Sequence, residues 1–348
     1  MAILQKEFEQ FHEEIKLYRF EENATLRGKR DIVLDALRDG LQEMFEEDDE
    51  AKPTFAPFNQ GSYAMDMGVK PIKDQDYDID VGLRFHVSRE EYGPLDVKGW
   101  VYDALDGHTS DVELKRPCVT VNYVGDFHVD LAVYASAEEN YGTDYLSKGF
   151  RDSKEEYKNW EESDTRGFIE LINDHFSDEE GQQFRRVVRY LKRWKDLKFS
   201  ANGNAAPVGI GLTICAYRSF QPTFHSDFSE RKPRDLRAVR RVVDYMRRNF
   251  QRRYHEEEDE YASRLCARMP VQPRDDVFDR ISNRQMEKLK TKLDDLHNAL
   301  DEADKEPDPH EAAKIVVSQF GEDFPVPDPD DGAKKSSRPA ITTESSSA

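Results

Sequence analysis

Apolar residues recur at helical spacing early in the chain. Leu26, Ile32, Val33, Leu37, Leu41 and Phe45 form a stripe that predicts a helix over 24–47, after a shorter one over 3–18. Pro53 and Pro57 then break the chain. From Asn59 onward the period shortens, and 77–85, 118–123 and 127–134 read as strands, with a helix over 97–105 between the first two. Past Gly149 helical spacing returns at 164–175, 179–198, 208–220, 233–253, 282–304 and 309–320. This order predicts an α+β chain, with a lobe built on a small mixed sheet over 1–150, N-terminal helices included, and an α-helical lobe over 151–324. The remainder, 325–348, holds Pro325, Pro327 and Pro329, an acidic run and a final Ser345-Ser346-Ser347-Ala348, and reads as a disordered tail.

Composition narrows the class. The 348 residues are 37% apolar and 35% charged, enough for a sizeable core on a hydrophilic surface. No stretch approaches the roughly 18 apolar residues of a membrane span, and the start turns polar at once, so a cytoplasmic address without membrane contact is expected. Cys118, Cys215 and Cys266 are scattered without zinc-type spacing; the first two lie in apolar segments and read as small core residues. A formal charge of −20 argues against long nucleic acid as a partner, because such binding depends on neutralising many phosphates. A small phosphorylated substrate remains compatible, held by metal ions and a local basic patch.

Three acids carry the chemistry. In Tyr77-Asp78-Ile79-Asp80-Val81-Gly82-Leu83-Arg84-Phe85 the alternation sends Ile79, Val81, Leu83 and Phe85 to an apolar face and leaves Asp78 and Asp80 together on the other. Adjacent carboxylates repel, and a divalent cation relieves that repulsion; magnesium prefers a few carboxylates together with phosphates and water. Asp130 is an isolated acid in the apolar strand Phe127-His128-Val129-Asp130-Leu131-Ala132-Val133-Tyr134, where it needs a partner. Laid beside the first strand, it completes a site for two metal ions about 4 Å apart. Upstream, Gln60-Gly61-Ser62 precedes a helical-looking segment: glycine lets the backbone approach a phosphate, and serine adds an N–H and a hydroxyl. Alone, Gly-Ser marks a turn and Asp-X-Asp a solvated face, so the signal lies in the combination. His128 shares the face of Asp130 and reads as structural or exposed rather than as a base.

The segment 183–198 places Phe184, Val187, Val188, Leu191 and Trp194 on one stripe and Arg185, Arg189 and Lys192 on another face, with Arg186 and Arg193 beside them. For most of these cations a solvated, salt-bridged helix face is the expectation; the alternative is the triphosphate side of a cleft. The basic run 231–253 reads as a surface helix.

Four segments, Gln60-Gly61-Ser62-Tyr63, Tyr77-Asp78-Ile79-Asp80, the stretch from His128 to Ala135, and Arg185-Arg186-Val187-Val188-Arg189-Tyr190-Leu191-Lys192-Arg193-Trp194-Lys195, give the chain its resemblance to the bacterial CD-NTase family. These are cGAS/DncV-like cyclic-oligonucleotide synthases of the polymerase-β nucleotidyltransferase superfamily. The resemblance runs from about residue 20 to 320. It implies a polymerase-β-like lobe and a helical lobe with the active site between them, Asp78, Asp80 and Asp130 as catalytic metal ligands, and two Mg2+ ions for which Mn2+ substitutes. It further implies Gln60, Gly61, Ser62 and Lys192 as nucleotide contacts, ATP and GTP as substrates, and a cyclic product, with cyclic GMP-AMP the first choice. That product would reach an effector in antiphage defence (the CBASS systems). Some members of the family have their C-terminus joined to a target by an E1/E2-like enzyme, which here would act at Ala348. Two departures touch the donor pocket: Met67 stands where relatives often have Thr, and Pro207-Val208-Gly209-Ile210-Gly211 carries glycines where they often have Ser. The rival readings are another polymerase-β-like nucleotidyltransferase, acting on RNA termini or small molecules, and a catalytically silent nucleotide-binding protein.

Overall fold

In the computed structural model the described residues are 4–17, 21–47, 52–72, 77–123, 127–136, 143–200, 206–227 and 230–329. Helices α1 (Gln5–Ile15) and α2 (Glu21–Glu47) lead into strand β1 (Phe55–Asn59), the single turn α3 (Gly61–Ala64) and β2 (Tyr77–Phe85). Helix α4 (Pro94–Ala104), the hairpin β3 (Val112–Leu114) and β4 (Val119–Tyr123), and β5 (Phe127–Ala135) follow, then β6 (Tyr145–Lys148) and β7 (Asn159–Glu162).

The sheet order is β1-β2-β5-β4-β3, with β6 joined to β5 and β7 to β6. Strands β2 and β5 are parallel, which requires the crossover through α4, and β1 and β4 flank them antiparallel. The alternation seen in the sequence holds. Val81, Leu83, Phe85, Val129, Leu131 and Val133 are buried in one cluster with Val33, Leu37 and Leu41 of α2 and Val97 and Val101 of α4. With these helices covering the apolar face, the polar face of β2 and β5 is left to the site.

Helices α5 (Thr165–His175), α6 (Asp178–Lys198), α7 (Gly209–Ser219), α8 (Asp235–Arg248), α9 (Asn283–Lys305) and α10 (Pro309–Phe320) build a second cluster. Phe184, Val187, Val188, Leu191 and Trp194 of α6 run through it as the predicted stripe. Two hairpins, β8 (Phe224–Asp227) with β9 (Glu230–Pro233) and β10 (Gln251–His255) with β11 (Glu260–Arg264), interrupt the helices. The helix expected over 233–253 therefore stops at Arg248, and the chain turns at Asn249 into β10.

Three other readings need correction. Pro57 does not break the chain but lies in β1, an edge strand, where its missing N–H removes no interior ladder bond. The boundary at 150 falls within the β6–β7 hairpin, so the sheet runs on to Glu162. Helix α1, grouped with the sheet, packs instead among the helices: Phe8 and Phe11 meet Tyr190, Phe320 and Phe324 with ring centroids 5.0–6.2 Å apart. The same aromatic cluster anchors the chain at Phe324. Beyond it, His310 Nδ1 lies 2.7 Å from the Pro327 carbonyl, so 325–329 run along α10. The rest of the expected tail, 330–348, lies outside the described residues.

No helix among the described residues is long and apolar enough to cross a membrane.

Candidate active site

Parallel pairing of β2 with β5 sets Asp80 opposite Asp130 and Asp78 opposite His128. Strand β4 brings Thr120 opposite Asp130 from the other side, and the Thr120 hydroxyl donates to Asp130 Oδ1. That bond supplies the partner a lone acid in an apolar strand requires. His128 Nε2 lies 3.3 Å from Asp78 Oδ1. One potential ligand atom each from Asp78, His128 and Asp130 fall within 4.8 Å of one another. Asp80 is held differently, with its carboxylate under the Gly61 turn. A β-carbon built on Gly61 would stand 1.9 Å from Asp80 Oδ2, and Gly61 has φ +67°. Glycine is required there both for the left-handed backbone and for the close approach. The Gln60 N–H donates to the Asp80 carbonyl at 3.2 Å, tying the turn to β2.

The electrostatics follow from this crowding. Burial, then the neighbouring Asp78 and Asp130 charges, push the Asp80 carboxyl up to about 7, against the smaller pull of Lys192 and His128. The hydrogen bond to Asp78 raises the His128 imidazole above its ordinary value, with burial opposing. Lys192 is driven down to about 7, first by burial and then by Arg189 and Lys195. An acid and an amine, each displaced toward neutrality, thus face one cavity of about 370 Å³. Gly61, Ser62, Asp78, Thr165, Phe168 and Lys195 are among the residues that share its wall.

Helix α6 does not present its cations to solvent, which corrects the expectation for that face. Residues 185, 189 and 192 fall on one side of the helix, and there they meet the carbonyls of the segment after α3. Arg185 donates to Met65 O at 3.3 Å, and Arg189 to Gly68 O at 3.0 Å and to Asp66 O at 2.6 Å. Lys192 donates to Met67 O at 3.1 Å. Carbonyls in such a segment need donors when water is excluded, and this need buries the cations. Arg186 faces elsewhere, pairing with the buried Asp235. The helical-looking segment at Gly61-Ser62 is a single turn, because α3 has four residues, so it offers little of the positive end of a helix. A fuller one comes from α7. Its first residues, Gly209 and Ile210, line the cavity, and Val208 gives that terminus no side-chain cap. Of the glycines that departed from the expected pattern, Gly209 therefore stands at the cavity itself, whereas Gly211 packs against the Phe278 ring.

Among the predicted contacts, Ser62 and Gly61 border the cavity, while the Gln60 side-chain oxygen accepts a hydrogen bond from Tyr134. Sequence reasoning missed Tyr134, Thr165, Lys195 and Thr120. Tyr134 and Lys195 left a signal, the first sharing the face of Asp130 by the period of two and the second following Lys192 by three residues on the helix.

Comparisons with known proteins agree with this geometry. Residues 53–134 match the family described as "Cyclic GMP-AMP synthase DncV-like, nucleotidyltransferase domain". A c-di-GMP synthase of Roseivirga ehrenbergii is 24% identical over 182 residues, covering 47% of this chain and 48% of that protein. The match thus spans about half the length of that curated relative. In the structure of Vibrio cholerae DncV cyclic AMP-GMP synthase, the likeness has a TM-score of 0.68 at 17% identity and covers 91% of this chain and 97% of that one. Bradyrhizobium diazoefficiens CD-NTase CdnG, solved in complex with GTP, gives a TM-score of 0.68 at 14% identity, covering 92% and 96%. The fold is that of the DncV/cGAS-like nucleotidyltransferases. Residues 53–134 thus match a DncV-like nucleotidyltransferase domain, set within a fold shared with CD-NTases of known structure.

Proposed function

We propose that the protein is a cyclic dinucleotide synthase that joins two purine NTPs, GTP among them, and closes the ring with loss of pyrophosphate at each step. The observation that carries this reading is the convergence on one cavity of Asp78 and Asp80, the Gly61-Ser62 turn, Lys192 and the start of α7. The V. cholerae enzyme has been solved with nonhydrolysable GTP and with a linear pppA(3′,5′)pG intermediate, and the R. ehrenbergii relative is a c-di-GMP synthase. Guanine is common to these, and cyclic GMP-AMP remains the first candidate product. A role in antiphage signalling through an effector belongs to the same proposal; the expected conjugation at Ala348 falls outside the described residues.

The donor set fits a divalent cation. Asp78, Asp80 and Asp130 offer hard oxygen ligands, His128 stands at the edge of the group, and the raised Asp80 carboxyl is a site short of positive charge. Bound there, two Mg2+ ions would acidify the attacking hydroxyl and neutralise the departing pyrophosphate. The protein's own part is positioning. Thr120 fixes the rotamer of Asp130, Gln60 ties the turn to β2, and the α6 cations hold the segment behind Ser62. Lys192 and the α7 N–H groups face the triphosphate in this reading.

Incubation with ATP, GTP and MgCl2, phosphatase treatment and mass spectrometry tests the reading: a phosphatase-resistant cyclic dinucleotide is expected. Extension of an RNA or small-molecule acceptor instead would move the protein to the other nucleotidyltransferases, and nucleotide binding without turnover to the silent ones. For Lys192→Met, which keeps the length of the side chain and removes its donor, NTP affinity is expected to fall about tenfold to a hundredfold, the range for losing a hydrogen bond to a charged group. Stability should change little, because the lost bond to Met67 O is offset by removing a buried amine. Nucleotide titrations and thermal melts check both; an unchanged affinity would take Lys192 out of the site.

A further inference from the structure

Tyr134, two turns of the pleat beyond Asp130 on the same strand face, is 2% exposed, and its hydroxyl lies 3.0 Å from both Gln60 Oε1 and Thr165 Oγ1. Counting protons fixes the direction of these bonds. An amide oxygen only accepts, so the phenol proton goes to Gln60. Thr165 must then donate to the phenol oxygen, and Ser163 Oγ, 3.2 Å from Thr165 Oγ1, donates in turn. The result is a directed relay, Ser163 to Thr165 to Tyr134 to Gln60, running from the start of α5 through β5 to the turn that carries Gly61 and Ser62. It burdens Tyr134 with burial, which pushes the phenol up to about 12 and keeps it a donor. A second clasp lies alongside. Arg84, on the same sheet face as Asp80, donates to Asp144 at 2.7 Å, and Asp144 accepts from Arg166, next to Thr165, at 3.0 Å. Because the relay occupies the Gln60 oxygen, the amide nitrogen, which hydrogen-bonds no described residue, is the free end of that side chain.

We propose that Tyr134 is a positioning residue: with Thr165 it locks the Gln60-Gly61-Ser62 turn and leaves the Gln60 amide nitrogen to donate to a phosphate oxygen of the bound nucleotide. This rests on the proposed reading of the cavity as a nucleotide site. Arg84 and Asp144 hold the start of α5 at the height the relay needs, so both sides of the cleft are set by one pair of strands.

The test uses the full chain and its variants Tyr134→Phe, Thr165→Val and the double variant. Affinity is measured with mant-GTP in calcium, where turnover is suppressed, and product formation in magnesium. Each single variant is expected to lose about fivefold to tenfold in mant-GTP affinity and in kcat, as for one hydrogen bond in a constrained network. The double variant should lose no more than either alone, because both cut one relay. Losses that multiply, or an affinity equal to the wild type in Tyr134→Phe, would overturn the proposal. Should Tyr134→Phe fail to fold, Thr165→Val decides alone, and wild-type affinity there has the same consequence. Wild-type protein that forms no cyclic product would defeat the proposed function, while the mant-GTP titrations still judge the relay.

Discussion

Asp80→Asn is expected to abolish dinucleotide synthesis, by about three orders of magnitude or more given the dependence of such chemistry on its metal ligands, and to make the metal-free protein more stable at pH 8. The second effect follows from the displaced carboxyl. The folded protein holds the Asp80 proton more tightly than the unfolded chain, since the group sits at about 7 rather than 3.8. Its contribution to stability is therefore largest at acid pH and is lost as pH rises from about 4 through about 7. Asparagine has no proton to lose in that window. At pH 8 without divalent cations the variant should exceed the wild type by on the order of 2 kcal/mol, and at pH 4 the gap should close. Lys192 titrates in the same range, displaced the other way, and the Asp80 charge favours its charged form, so the difference between the two proteins reports Asp80 together with its effect on Lys192. Added MgCl2 should stabilise the wild type and leave the variant nearly unmoved. Thermal melts at both pH values, with and without magnesium, and product assays check the whole set. Near wild-type synthesis by Asp80→Asn would remove the carboxylates from the chemistry.

Gly61→Ala ranks next. The residue has φ +67°, a conformation that costs an alanine about 1–2 kcal/mol. The added methyl also points at the Asp80 carboxylate 1.9 Å away, with backbone tied to β2 on one side and to α3 on the other. Either the turn or Asp80 must move. Product formation is expected to fall at least about a hundredfold, as for an ångström-scale misplacement of reacting groups. The melting temperature should fall as well. Gly99→Ala supplies the control: it lies within α4, nothing stands within 4 Å of its built β-carbon, and alanine there should stabilise by about 0.5–1 kcal/mol while synthesis is unchanged. If Gly61→Ala keeps synthesis within a few-fold of wild type, the turn does not support the reacting groups.

Much of this was legible from the chain alone, for reasons that are local. The period of two put Asp78, Asp80 and Asp130 on polar faces of otherwise apolar strands, and the pleat enforces that separation whatever the neighbours are. The stripe of α6 was equally plain, because 3.6-residue spacing needs no partner to be recognised. Short elements were not. Strand β1 hides a proline that only its edge position permits, and β10 follows α8 so closely that its arginines read as more helix.

What only the tertiary structure decided is where polar side chains find their partners. Sequence spacing could set Arg185, Arg189 and Lys192 on one helical face. It could not foresee that the carbonyls of 65–68, more than a hundred residues earlier, would be laid against that face and bury it. In the same way, the parallel register of β2 with β5 placed His128 against Asp78 and Asp80 across from Asp130. The fold of the turn then sent the Asp80 carboxylate beneath Gly61. Alternation and helical period are properties of the backbone, fixed residue by residue. Register, burial and the proton balance of Asp80 and Lys192 arise from segments distant in sequence, and exist only once those segments are packed together.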